Sequence, residues 1–120
     1  MSTNFYLEQK CSPWGYAERI HLGLSSAGWT FTFKGDRENG VIDFPSWLER
    51  IERKWDEGWI IVNEGGSMVI RYELLELINS KKEAKNNNTA YVKEHHPMYY
   101  DPEKDWLDAE GNSFSDRDFS

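Results

Sequence analysis

The feature that most constrains the fold is a change of hydrophobic period within thirty residues. Trp29-Thr30-Phe31-Thr32-Phe33-Lys34 alternates aromatic with polar side chains. That is the period of a β-strand with one buried face. From Phe44 the period lengthens: Phe44, Trp47, Leu48, Ile51 and Trp55 fall on one stripe of a helix. A strand that buries rings on one side, followed by a helix with a matching apolar stripe, calls for a sheet with a helix laid on it.

The rest of the chain extends this pattern. Residues 4–9 read as a first strand, Ser12-Pro13-Trp14-Gly15 as a turn, and Tyr16 to Leu24 as a half-buried strand that breaks at Ser25-Ser26-Ala27-Gly28. The helix is expected over about 44–56. Ser46 and Glu49 have capping-box spacing, and Asp43 followed by Pro45 is a competing start. Trp59 to Val62 is a short apolar strand, Asn63-Glu64-Gly65-Gly66 a tight reversal, and Met68-Val69-Ile70 a brief return. A second helix is expected over about 72–82. The Lys- and Asn-rich stretch 83–90 reads as an exposed, mobile loop, and Tyr91-Val92 as a short strand. Pro97 and Pro102 bracket an irregular aromatic piece, and Glu110-Gly111-Asn112 is a turn between possible short strands near the C-terminus. The expectation is one α+β domain over 1–120: a small, mostly antiparallel sheet, two helices and an irregular acidic-aromatic C-terminal segment.

Composition narrows the function classes. No apolar run reaches the ~20 residues of a membrane helix, and the N-terminus lacks the pattern of a signal peptide. One cysteine excludes an internal disulfide framework and suits a reducing cytoplasm. A net charge of −7 argues against direct coating of nucleic acid through phosphates. The acidity is local. Residues 101–120 hold seven acids against Lys104 and Arg117, whereas residues 1–100 hold fourteen acids and twelve bases. Six tryptophans are spread along the chain, enough to build a core and to leave an exposed anchor.

Candidate chemistry is sparse. Cys11, His21, His95 and His96 are the soft or borderline metal ligands, with Cys11 and His21 the pair a site would have to use. Trp14 occupies the place of a C-x2-C partner, so neither metal nor cofactor is expected. A nucleophile built from Cys11 or Ser25 with His21 has no local motif behind it, and Ser25 to Gly28 lacks the Lys and Gly spacing of a phosphate loop. The reading is of a protein that binds and does not catalyse. Lys81, Lys82 and Lys85, beside Lys93, form a small basic run of the solvated kind. Arg19, Lys34 and Arg37 near Trp29 are the one cluster suited to nucleotide phosphates. The acidic-aromatic segment is the leading candidate for a partner surface, through Tyr99, Tyr100, Asp101, Glu103, Asp105, Trp106, Asp108 and Glu110.

Phe5-Tyr6-Leu7 before Cys11, and Glu18 to Phe31 with its Ser25-Ser26-Ala27-Gly28-Trp29 core, resemble a family of small uncharacterised bacteriophage proteins. Its members start with C-x2-C-G and then H-I-G-K-S-S-A-G-W. Ile60-Ile61-Val62, Asp108-x-Glu110-Gly111 and the ending Phe114-Ser115-x-Arg117-x-Phe119-Ser120 match in kind. Two departures stand out: Trp14 replaces the second cysteine and Leu24 replaces the lysine before the paired serines. The resemblance implies a phage-encoded protein acting in the host bacterial cytoplasm. With the acidic-aromatic segment, it leads to the expectation of an inhibitor of a host nucleic-acid-handling defence complex, of the anti-CRISPR kind. The alternatives are a trap for signal nucleotides and an accessory or regulatory protein with an unrelated partner.

Overall fold

The computed structural model describes residues 2–9 and 18–119. The turn expected at 12–15, together with Cys11, Trp14 and Tyr16, lies outside the described residues. Seven strands form one sheet: β1 (Ser2–Gln9), β2 (Arg19–Ser26), β3 (Thr32–Lys34), β4 (Trp59–Asn63), β5 (Met68–Val69), β6 (Asp105–Leu107) and β7 (Ser113–Ser115). Their spatial order is β5-β4-β1-β2-β3-β7-β6, and every pairing is antiparallel except β3 with β7. The helices are α1 (Phe44–Asp56), α2 (Arg71–Ser80) and α3 (Asn88–His95). The architecture is α+β with a mostly antiparallel sheet.

The start of α1 is decided by Asp43. Its side chain accepts a hydrogen bond from the Ser46 backbone N–H (2.9 Å), and the Ser46 hydroxyl accepts one from the Asp43 N–H (3.1 Å). Pro45, which has no N–H to leave unpaired, fits the first turn. Asp43 therefore prevails over the Ser46–Glu49 alternative. Hydrogen bonding of the Asp43 carboxyl by Ser46, first by its side chain and then by its backbone N–H, holds that carboxyl below the usual carboxylate range.

One face of the sheet carries the core. Phe5, Leu7, Leu22, Phe31, Phe33, Ile61 and Phe114 are buried beside Trp47 and Ile51 of α1 and Leu74 and Ile78 of α2. A bulge on β2 serves this packing. Phe5 pairs with Gly23 and Tyr6 with His21, so Leu22 is the extra residue. Its carbonyl accepts the buried Trp47 indole N–H at 2.9 Å. Gly23 is required here: a Cβ would stand 2.4 Å from the Phe31 ring and 2.5 Å from the Thr32 carbonyl oxygen.

Three expectations are corrected. Residues 88–95 form a third helix where a loop and a Tyr91-Val92 strand were expected. Asn87 caps it by accepting from Ala90 N–H (3.1 Å), and Thr89, buried, pins it to β7 through Ser113 Oγ (2.7 Å). The 83–90 stretch is tied down as well, with Thr30 N–H donating to the Asn86 carbonyl at 2.8 Å. The short strands expected on either side of the 110–112 turn are β6 and β7, which complete the sheet. Finally, the 29–34 strand is regular only over 32–34. Trp29 forms a lone bridge with Asn86 and leaves the core face to its neighbours Phe31 and Phe33.

Candidate functional site

The opposite face of the sheet is defined by the same register. Tyr6 pairs with His21, Asn4 with Leu24, Leu24 with Thr32, Thr32 with Ser113 and Asp105 with Ser115. Two elements lie over this face. One is α3, fixed through Thr89 and Ser113. The other is the tail after β7, held at three points: Lys34 Nζ donates to the Asp116 and Arg117 carbonyls (3.1 and 2.7 Å), Arg117 Nε donates to Asp105 Oδ2 (2.7 Å), and the Phe119 ring rests 4.6 Å from the His21 ring.

Between α3 and the tail lies a cleft of about 490 Å³. Leu24, Thr32, Asp105 and Ser115 line it from the sheet, with Trp29, Val92 and Tyr99 on one side and Arg117 and Phe119 on the other. Its charged groups are committed. Asp105, 6% exposed, accepts from Ser115 Oγ (2.8 Å) and from Arg117, whose Nη2 also reaches the Tyr99 carbonyl (3.4 Å). The carboxylate beside it raises the Arg117 pKa, first through the hydrogen bond and then through charge. His21, at the edge of this face, donates its Nε2–H to Asn4 Oδ1 at 2.9 Å. Burial lowers its pKa first and the Lys34 ammonium second, against the opposing pull of the Gly23 carbonyl and Asp118.

The structure divides the expected partner-binding residues into two groups. Asp105 and Trp106 are buried, and Asp108 is half-buried and structural. Trp106 stacks on Phe114 (5.9 Å), receives the Arg37 guanidinium on its ring (3.9 Å) and donates its indole N–H to the Ile42 carbonyl (2.8 Å). Asp108 accepts from the backbone N–H groups of Phe44, Glu110 and Asn112 at 2.9–3.0 Å, joining the 108–112 turn to the start of α1. These three hold the fold together, which corrects their expected role as surface contacts. Asp101 turns inward on its own loop, accepting from Glu103 N–H (3.0 Å), and Tyr100 is half-buried with Lys93 Nζ over its ring (5.4 Å). Tyr99, Glu103 and Glu110 remain exposed.

Beside Tyr99 the structure adds a residue that the sequence reading passed over: Met98 is 91% exposed and Tyr99 75%. Their loop is not slack. Tyr99 N–H donates to His96 O (2.9 Å), Arg117 reaches the Tyr99 carbonyl, and Arg37 donates to the Pro102 and Glu103 carbonyls (2.9 and 3.0 Å). The signal available in the sequence was the bracketing by Pro97 and Pro102, which marks a loop with restricted backbone freedom.

The remaining candidates are dispersed. Arg19 pairs with Glu8 (2.7 Å), Lys34 holds the tail and Arg37 stacks on Trp106, so the three form no phosphate cluster at Trp29. Lys81 Nζ donates to the Ser26 carbonyl (2.6 Å), which takes it out of the basic run. The register places Ser25 beside Thr3 on the face of Phe5, whereas His21 lies on the opposite face with Tyr6, so this pair cannot act as nucleophile and base. Cys11 lies outside the described residues. Among the described residues no three His, Cys, Asp or Glu side chains group as metal ligands, and no helix is long and apolar enough to cross a membrane. Comparison with protein-family models, curated proteins and solved structures returns no match.

Proposed function

We propose that the protein is a non-enzymatic binding protein, phage-encoded as its sequence resemblance implies, that inhibits a host nucleic-acid-handling defence complex in the bacterial cytoplasm. The observation that carries the reading is the clamped 97–103 loop. Two large apolar side chains, Met98 and Tyr99, stand in solvent on a backbone held by Arg37 and Arg117. Exposed apolar side chains on a pre-organised loop lose little entropy on docking, and aromatic anchors of this kind supply most of the holding energy in an interface. The acids contribute through Glu103 and Glu110, exposed on the same C-terminal segment, whose net charge is −5. A negative rim favours a basic partner surface, and complexes that hold nucleic acid present one. The signal-nucleotide alternative is weakened by the cleft, where the Arg117 guanidinium is already engaged by Asp105.

The test is phage plaquing on hosts that differ in their defence systems, followed by nucleic-acid-binding assays of the affected complex with added protein. Met98→Ser with Tyr99→Ser is expected to abolish inhibition while the fold is kept. Glu103→Gln with Glu110→Gln is expected to slow association at low salt. Inhibition that survives both pairs of changes overturns this reading.

A further inference from the structure

We propose that the cleft between α3 and the C-terminal tail is a binding site for a small, uncharged, planar nitrogen heterocycle of nucleobase or nucleoside size. Three rings from separate parts of the chain, Trp29, Tyr99 and Phe119, line one cavity. Each is backed by another contact: Trp29 by the Tyr91 ring at 5.3 Å, Phe119 by His21 at 4.6 Å, and Tyr99 through its carbonyl by Arg117. Trp29 and Phe119 are held by a second ring and Tyr99, 75% exposed, is placed by its backbone, and all three offer faces on which a planar ligand stacks.

Polarity sets the second requirement. The lining holds the Asp105 and Asp118 carboxylates and the Arg117 guanidinium, with the Lys34 ammonium bound to the tail carbonyls beside it. The charges of these groups cancel. A phosphate would meet the Asp105 and Asp118 carboxylates beside the guanidinium, and a cation would meet the guanidinium. A neutral ligand meets neither obstacle. The Ser26 hydroxyl and the Asn88 amide also line the cleft, and among the described residues neither side chain is engaged by another group. A hydroxyl and an amide supply both donors and acceptors, which suits the edge of a nitrogen heterocycle.

Size sets the third. A volume of about 490 Å³ falls in the lower half of the ~300–1,000 Å³ span of small-molecule sites, enough for one nucleoside. The site shares Tyr99 with the partner reading, whereas Met98, Glu103 and Glu110 are not part of its lining.

The experiment is titration of the full chain with adenosine, cytidine, AMP and N-acetyl-tyrosinamide, read by calorimetry and by the Trp29 indole N–H resonance. The expected result is one-to-one binding of a nucleoside, weaker binding of AMP, and a shift of the Trp29 signal. Tyr99→Ala removes an exposed ring without touching the core and is expected to weaken binding about 5- to 100-fold. Val92→Trp fills the cleft and is expected to abolish it; if that variant does not fold, Tyr99→Ala decides. The proposal is overturned if no nucleoside binds, if AMP binds more tightly than adenosine, or if Tyr99→Ala leaves the affinity unchanged. Tighter binding of N-acetyl-tyrosinamide than of either nucleoside also overturns it, and identifies the cleft as a pocket for a partner's side chain.

Discussion

The two faces of the sheet solve the same problem with different materials. Toward α1 and α2, the strands present Phe5, Leu7, Leu22, Phe31, Phe33 and Phe114, and the helices answer with Trp47, Ile51, Leu74 and Ile78. Toward α3 and the tail, the cover is held by specific polar contacts: Thr89 on Ser113, Arg117 on Asp105, Lys34 on two carbonyls. Apolar burial is non-directional and closes gaps, whereas hydrogen-bonded struts fix a cover at points and leave space between them. The cleft is that space. The difference teaches how one sheet divides its labour: the first face closes into a core, and the second keeps an open cleft between its struts.

The largest expected effect tests the first face. Trp47→Ala empties the centre of the core and frees the Leu22 carbonyl, and it should cost about 3–5 kcal/mol by urea denaturation. Val92→Ala, on the half-buried side of the cleft, should cost no more than about 1 kcal/mol. Equal losses at the two sites would erase the contrast between the faces. Next comes the strut itself. Arg117→Ala leaves the buried Asp105 carboxylate with only Ser115, and a loss of about 1–2 kcal/mol is expected, moderated because Arg117 is 43% exposed. Amide exchange at residues 116–119 should quicken with it. A variant whose tail stays protected would show that Lys34 and Phe119 hold it alone.

The legibility of the sequence follows the same division. The core face was readable because burial imposes a period: the α1 stripe, the 59–62 strand and the alternation at Phe31 and Phe33 all appear where the pattern places them. The other face was not, because its devices have no period. α3 presents Tyr91 and Val92 side by side and no stripe, so its start was encoded only in Asn87 as a cap, inside a run that reads as loop. Trp29 continues an alternating pattern in sequence but leaves the strand in space, because the Asn86 backbone captures it. Asp105 and Asp108 are indistinguishable by sequence from Glu103 and Glu110. Only the pleat and the turn geometry show that the first two point inward to partners and the last two do not.

A smaller effect comes from His21, whose ring lies between Tyr6 and Phe119 on the cleft face. Its folded pKa lies below the ordinary histidine value of 6.5, chiefly through burial, so the unfolded chain binds a proton more readily. Stability contributed by the neutral ring is present above pH 6.5 and lost as pH falls through the folded value. His21→Gln should flatten the stability profile on the acid side of pH 6.5 and leave Trp47-dependent stability unchanged. A profile with the same slope in the variant would assign the acid loss to carboxylates such as Asp43.

The smallest effect is expected between the two faces, at Thr30. Its hydroxyl oxygen is buried without a hydrogen-bond partner, alone in this among the described residues. A hydroxyl removed from water with no partner is destabilising by roughly 1–3 kcal/mol relative to one that is bonded. Thr30→Val keeps the branched shape and the backbone donation to Asn86 while deleting the unpaired oxygen. The variant should be as stable as the parent or more so, by up to about 1 kcal/mol. Thermal denaturation of the two proteins side by side measures it. A clear loss would mean that the hydroxyl has a partner in solution, and would place a polar contact at the junction where Trp29 leaves the core face for the cleft.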